Sequence, residues 1–193
     1  MKYNIEELNK IIRNRRSIKP LKMKPTPIAD TIIETLLENA NWAPTHGLTE
    51  PWRFKLFSGE SRKKLAEFQT SLYKKKMSED KFKQAKYERL GKNPLNVSHV
   101  IALCMKRQES EKLPEIEELL AVACAVQNIH LSATCYGIGA LWSSGFPTYE
   151  EELKPFLGLN EKDKCLGFLY LGYPEGEWPE AKRASVQEKT EWI

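Results

Sequence analysis

Arg15, Arg16 and Ser17 are consecutive, and Lys19 follows two residues later. Two guanidinium forks and a hydroxyl are the groups that hold a phosphate monoester, by paired N–H donors and one short O–H contact. Near the other end, AKRAS (181–185) supplies Lys182 and Arg183 beside a second serine. Alone that stretch is a charged tail; with the first cluster it is a second grip on the same anion. His46 sits in WAPTHGLTEPW (42–52), between two prolines, where side chains on an irregular loop can converge on a ligand. The other two histidines, His99 before an apolar strand and His130 inside an apolar helix, read as structural. In GIGALWSSG (137–145), Gly137, Gly139 and Gly145 would let the backbone approach a flat ligand, while a helix stop explains Gly137 nearly as well. Trp142 offers either an aromatic surface or a core side chain. A ligand with a phosphate and a planar ring suits this set. No G-x-S-x-G, H-E-x-x-H or Walker A pattern occurs, so a bound cofactor is expected to carry the chemistry.

The elements that must position these residues are readable from periodicity. Residues 4–15 predict a helix, with Asn4 as its cap, Glu6 and Glu7 in the first turn, and Ile5, Leu8, Ile11 and Ile12 at helical spacing. Its basic end has an ordinary reading too, since cations favour a helix C-terminus. Pro20, Pro25 and Pro27 make a linker. A second helix is expected from Asp30 to about Ala40, with Ile32, Ile33, Leu36 and Leu37 inward. RFKLFSG reads as a strand, 60–90 as charged helix, VIALCM (100–105) as a buried strand, and 115–136 as a central helix apolar on most faces. A helix over 149–157 and a strand over 165–174 follow. Helices and strands mix without βαβ alternation, which predicts an α+β fold of one domain, 1–193.

Composition narrows the class. The chain has 193 residues, 41% hydrophobic and 29% charged, which suits a folded protein with a substantial core. No apolar run approaches the roughly 20 residues that span a bilayer. The N-terminal ten residues lack an apolar signal core, and the expected location is the cytoplasm. The four cysteines form no C-x-x-C and are expected to be reduced and mostly buried; no Cys/His spacing suits zinc. Net charge is +4, with basic clusters at 10–24 and 74–92. A nucleic-acid surface is one reading of them. It is disfavoured because aromatics are not interleaved with the charges, and the second cluster reads better as a solvated helical face.

In order along the chain, IIRNRRSIK, ANWAPTHGLTEPWRF, YGIGALWSSG, FLYLGYPEG and PEAKRASVQEKTEWI resemble the FMN-dependent nitroreductase family. The likeness implies an α+β fold with a central, mostly antiparallel sheet flanked by helices. It also implies an intertwined homodimer with FMN at the interface. The implied activity takes hydride from NADPH or NADH and reduces nitroaromatic, quinone or similar electron-poor acceptors by a ping-pong exchange at the flavin N5, with no catalytic side chain. Other flavin chemistry on the same fold (another bond reduced, dehalogenation, ring oxidation) is the alternative. By position, Arg15, Arg16 and Ser17 match the residues holding the FMN phosphate and ribityl chain. Lys19 matches a cation near the N1–C2=O edge. Pro44, Thr45 and His46 match a loop that meets the flavin of the other subunit. Trp142, Ser143 and Ser144 match the segment along the N5–C4=O edge, and Arg183, with Lys182, completes the phosphate site. Two positions depart: Leu48 stands where the family has Asn, and Glu50 where it has Gln. Leu48 cannot hydrogen-bond to the flavin, and an ionised Glu50 cannot donate as an amide does. The basic 60–92 segment is a candidate rim for NADPH phosphates.

Overall fold

A computed structural model describes residues 2–193. Helix α1 (Ile5–Asn14) begins where Asn4 Oδ1 accepts from the backbone N–H groups of Glu6 and Glu7, at 3.0 and 3.2 Å. That cap satisfies two of the donors a helix leaves free at its start. The chain then forms a short strand β1 (Met23–Lys24) where only a linker is expected, helix α2 (Asp30–Asn41) and strand β2 (Trp52–Phe57). The predicted 60–90 helix is two helices, α3 (Ser61–Lys76) and α4 (Gln84–Lys92). Strand β3 (His99–Met105), helix α5 (Glu115–Cys135), strand β4 (Gly139–Ser143), a shorter helix than expected, α6 (Leu153–Leu157), and strand β5 (Lys164–Pro174) complete the order.

The sheet runs β1-β5-β3-β2, and β4 also pairs with β5. Every strand pair is antiparallel. All seven residues of β3 are buried, so its alternate side chains feed two cores. Ile101, Leu103 and Met105 pack with α2 and α5, through Ile33, Leu36, Val122, Val126 and Ile129. Val100, Ala102 and Cys104 pack on the other face with Leu65, Leu153, Leu157 and Phe168. The expected α+β layout with a helix-flanked antiparallel sheet is the one observed.

Three expectations change. Helix α5 is central, yet Ile116 and Leu120 on its outer stripe stay 57% and 58% exposed. Helix α1 buries no residue at all, and its Ile5, Leu8 and Ile12 lie open. Two cysteines, Cys104 and Cys165, are buried, but Cys124 and Cys135 are exposed. Among the described residues no helix is long and apolar enough to cross a membrane. The basic face of 74–92 is neutralised in part: Lys76 bridges Glu150 and Glu152, at 3.2 and 2.9 Å, and Lys92 meets Glu88.

Candidate functional site

Helix α1 ends with the Arg15 N–H donating to the Ile11 carbonyl, and the chain turns to lay Ser17 beside Ala140 of β4 in a parallel bridge. The Ile18 N–H donates to the Ala140 carbonyl at 3.0 Å. This contact joins the N-terminal cluster to the glycine-rich strand. Glycine at 139 suits this close approach: a Cβ there would sit 3.2 Å from Ile18 Cδ1 and 3.3 Å from the Gly172 carbonyl. Gly137, at φ +65°, ends α5, with its N–H on Thr134 and the Ile138 N–H on Ala133. Gly137 thus serves helix termination and Gly139 strand packing. Strand β4 itself is absent from the sequence expectation.

Arg15 is half-buried, and its guanidinium Nη1 lies 3.5 Å from Ser17 Oγ. Its pKa is pushed below the ordinary arginine value, first by burial and then by the neighbouring charges of Arg183 and Arg16. The structure therefore brings Arg15, Arg16 and Arg183 into mutual electrostatic reach. Among the described residues none of the three forms an ion pair with a carboxylate. The Arg15 cation is crowded by two like charges with no anion beside it, and a phosphate would relieve it. That observation fits a phosphate-bearing group.

Arg16 has a second duty. Its Nε donates to the Pro179 carbonyl at 2.7 Å and its Nη1 to the Arg13 and Arg15 carbonyls. Trp178 Nε1 donates to the Asn14 carbonyl at 2.7 Å. Together they tie the C-terminal segment to the end of α1, which holds Arg183 near Arg15. Lys19 lines a cleft of about 530 Å³ with Ser17, Lys22, Glu175 and Glu177.

His130, which reads from the sequence as a structural residue, lies within electrostatic reach of this cluster. It is 5% exposed on α5, with Nδ1 unpartnered. Its pKa falls to about 4, through burial first and the Arg15 charge second. The folded protein therefore keeps His130 neutral while the unfolded chain protonates near 6.5. Stability from this group is complete above 6.5 and declines as pH falls toward 4, by up to about 1.4 kcal/mol per pH unit. Urea midpoints measured between pH 7.5 and 4.5 should show that decline. His130→Leu should flatten it, and an unchanged profile in the variant would contradict the assignment.

Trp142 does not present a free ring. Its Nε1 donates to the Leu166 carbonyl at 2.9 Å, and the indole packs on the core. Trp142 and Ser144 line the larger cleft, about 690 Å³, with Leu119, Tyr149, Lys154, Lys164, Cys165 and Leu166. Ser143 is half-buried between them.

The 42–52 loop lies elsewhere. His46 Nδ1 pairs with Glu117 Oε2 in the first turn of α5, and Thr45 Oγ1 is 3.0 Å from Thr49 Oγ1. Pro44 is exposed. From Glu117 to His130 is about 20 Å along α5 at 1.5 Å per residue. Within one chain, then, Pro44, Thr45 and His46 do not join the arginine cluster. The two departures from the family pattern carry backbone strain: Leu48 has φ +53° and Glu50 φ +42°. Leu48 is 83% exposed, so no packing offsets the cost. Asn tolerates this region far better than Leu. Leu48→Asn is expected to raise stability by about 0.5–1 kcal/mol in denaturant titration; a loss would show that the leucine is held by contacts the chain makes in assembly. His99 keeps its structural reading: Ser98 Oγ lies 2.9 Å from His99 Nδ1 and accepts from the Ile28 N–H.

Similarity to known proteins gives the family. Residues 12–173 match the model of the nitroreductase family. The Bacillus subtilis (strain 168) protein YfhC, whose provisional name is NAD(P)H nitroreductase, is 34% identical over 180 residues, 91% of this chain and 88% of its own length. The structure of a nitroreductase-like family protein from Bacillus cereus superposes with a TM-score of 0.79 at 28% identity, covering 100% of this chain and 98% of that one. That of the FMN-dependent nitroreductase NfnB from Mycobacterium smegmatis, in complex with NADPH, superposes at 0.74 with 20% identity, over 98% and 99% of the two chains. With the motifs in order, the sheet and helices in place and the family model spanning most of its length, this chain belongs to the nitroreductase family.

Proposed function

We propose that the chain is an FMN-dependent oxidoreductase that takes electrons from NADPH or NADH. The observation that carries this reading is the unpaired Arg15–Arg16–Arg183 cluster beside Ser17, set against β4. Arg15, Ser17 and Arg183 would hold the FMN phosphate, with Arg16 sharing its charge while anchoring the C-terminal segment. Lys19 would set a positive charge near the ring, where it favours an anionic reduced flavin. Trp142 would act by position: its indole is fixed to Leu166, which makes the Trp142–Ser144 segment a rigid edge for the ring. Bound FMN supplies hydride acceptance from the nicotinamide and electron delivery to an electron-poor acceptor, a nitroaromatic or quinone, in alternating half-reactions. No side chain of this chain is given the chemical step; the protein orients, excludes water and balances charge.

What one copy leaves open supports a homodimer. Ile5, Leu8 and Ile12 of α1 and Ile116 and Leu120 of α5 are uncovered, and the C-terminal segment carries an exposed Trp192. The Pro44–His46 loop stands off from its own phosphate cluster, so it would reach a flavin only across a second copy. Steady-state assays with NADPH or NADH and a quinone or nitroaromatic test the reading. Parallel double-reciprocal lines are expected, and intersecting lines would overturn the alternating exchange. No nicotinamide oxidation with any acceptor would overturn the enzyme assignment.

A further inference from the structure

Strands β3 and β5 oppose each other in register from His99–Leu171 to Leu103–Gly167, and the next opposed pair is Cys104 with Cys165. Leu166 is skipped, so a bulge lies between. Simple alternation would place Cys165 on the Leu169 face of β5. The bulge moves it to the other face, where it packs with Cys104, Ala102 and Phe168. The backbone makes this adjustment at Gly167, with φ +126°. Two thiols therefore stand directly opposite one another on one face, and Cys165 Sγ also donates to the Gly167 carbonyl at 3.6 Å. Opposed antiparallel residues have Cα atoms about 4.5–5.5 Å apart, inside the range of about 4.4–6.8 Å that a disulfide spans.

The two thiols are unequal. Cys104 is 0% exposed. Cys165 lines the 690 Å³ cleft beside Trp142 and Leu166. The neighbouring Cys165 and burial push the Cys104 thiol up. Cys165 is the sulfur of the pair that faces the cleft, so an oxidant reaches it first.

We propose that Cys165 and Cys104 form a reversible, peroxide-reactive dithiol, with Cys165 the sulfur that meets peroxide in the cleft and Cys104 the buried resolving thiol. The Cys165 thiolate attacks one oxygen of hydrogen peroxide, and the O–O bond breaks. Cys165 becomes a sulfenic acid, and the departing hydroxide takes up a proton as water. The Cys104 sulfur then attacks the Cys165 sulfur, the S–O bond breaks and a disulfide forms. The hydroxide released takes the Cys104 proton as a second water. Two thiols are oxidised by two electrons in all, and one peroxide is reduced to two waters. The bond would staple β5 to β3 beside Leu166, whose carbonyl holds the Trp142 indole. The proposal does not depend on the flavin reading.

The test treats the intact chain with graded hydrogen peroxide, followed by thiol counting after denaturation, intact mass and peptide mapping. Two of the four thiols are expected to disappear, with a mass loss of two hydrogens. The map should show one cross-linked peptide pair holding Cys104 and Cys165, and dithiothreitol should restore it. Cys104→Ala should instead accumulate a dimedone-reactive sulfenic acid at Cys165; if that variant does not fold, the wild-type map decides alone. Oxidation confined to the exposed Cys124 and Cys135 would overturn the proposal. So would a Cys165 that gains oxygen without ever linking to Cys104.

Discussion

Replacing Arg15 and Ser17 together with alanine is expected to weaken FMN binding by roughly a hundredfold or more and to leave the chain folded. Each hydrogen bond to a charged partner contributes about 1.5–3 kcal/mol, so losing two removes about 3 kcal/mol or more. The apoprotein should not suffer in proportion. Arg15 sits half-buried against the like charges of Arg183 and Arg16, which disfavour its own cation. Removing it relieves that repulsion, so the melting temperature without cofactor should hold or rise. Added FMN should then stabilise the wild type far more than the variant. FMN titration and thermal melts read the two effects separately. Unchanged FMN affinity would remove the cluster from the site; a collapsed apoprotein would make its role structural.

Gly167→Ala should be among the most damaging single substitutions in the chain. A Cβ there would lie 2.4 Å from the Ser143 carbonyl oxygen and 2.9 Å from Trp142 Nε1. Both neighbours belong to β4, and Trp142 is already committed to Leu166. The backbone angle of +126° adds strain that alanine cannot relax. Overpacking and strain together should cost about 4 kcal/mol, a fall of about 10 °C in melting temperature for a chain of this length. Gly158→Ala is the control: its φ is +65°, but nothing lies within 4 Å of the added carbon. It should cost only about 1 kcal/mol. Equal losses at the two sites would show that angle rather than crowding governs Gly167.

Much of this layout was legible in the sequence because it rests on local patterns. The Asn4 cap, the apolar period of α2 and the unbroken apolar run of β3 each announce their element. What was not legible depends on pairing between distant segments. Strand β4 is only five residues, GALWS, and exists because β5 supplies its partner. The bulge that brings Cys165 across from Cys104 leaves no local signature beyond one glycine. The charged 60–90 stretch reads as one helix, but it breaks at Met77, where the backbone turns extended. In the candidate site, Arg15, Ser17 and Arg183 were found by residue type. His130 was not, since a histidine in an apolar helix looks alike whether or not an arginine stands beside it. The duty of Arg16 to Pro179 was equally hidden, because its acceptor is a backbone carbonyl 163 residues away.

The most direct measurement is the visible absorption spectrum of the protein purified with FMN present, followed through anaerobic addition of NADPH and of NADH. A yellow protein is expected, with flavin bands that one or both nicotinamides bleach and that an added quinone restores. A colourless protein that takes up no FMN, or a flavin that neither nicotinamide reduces, would contradict it.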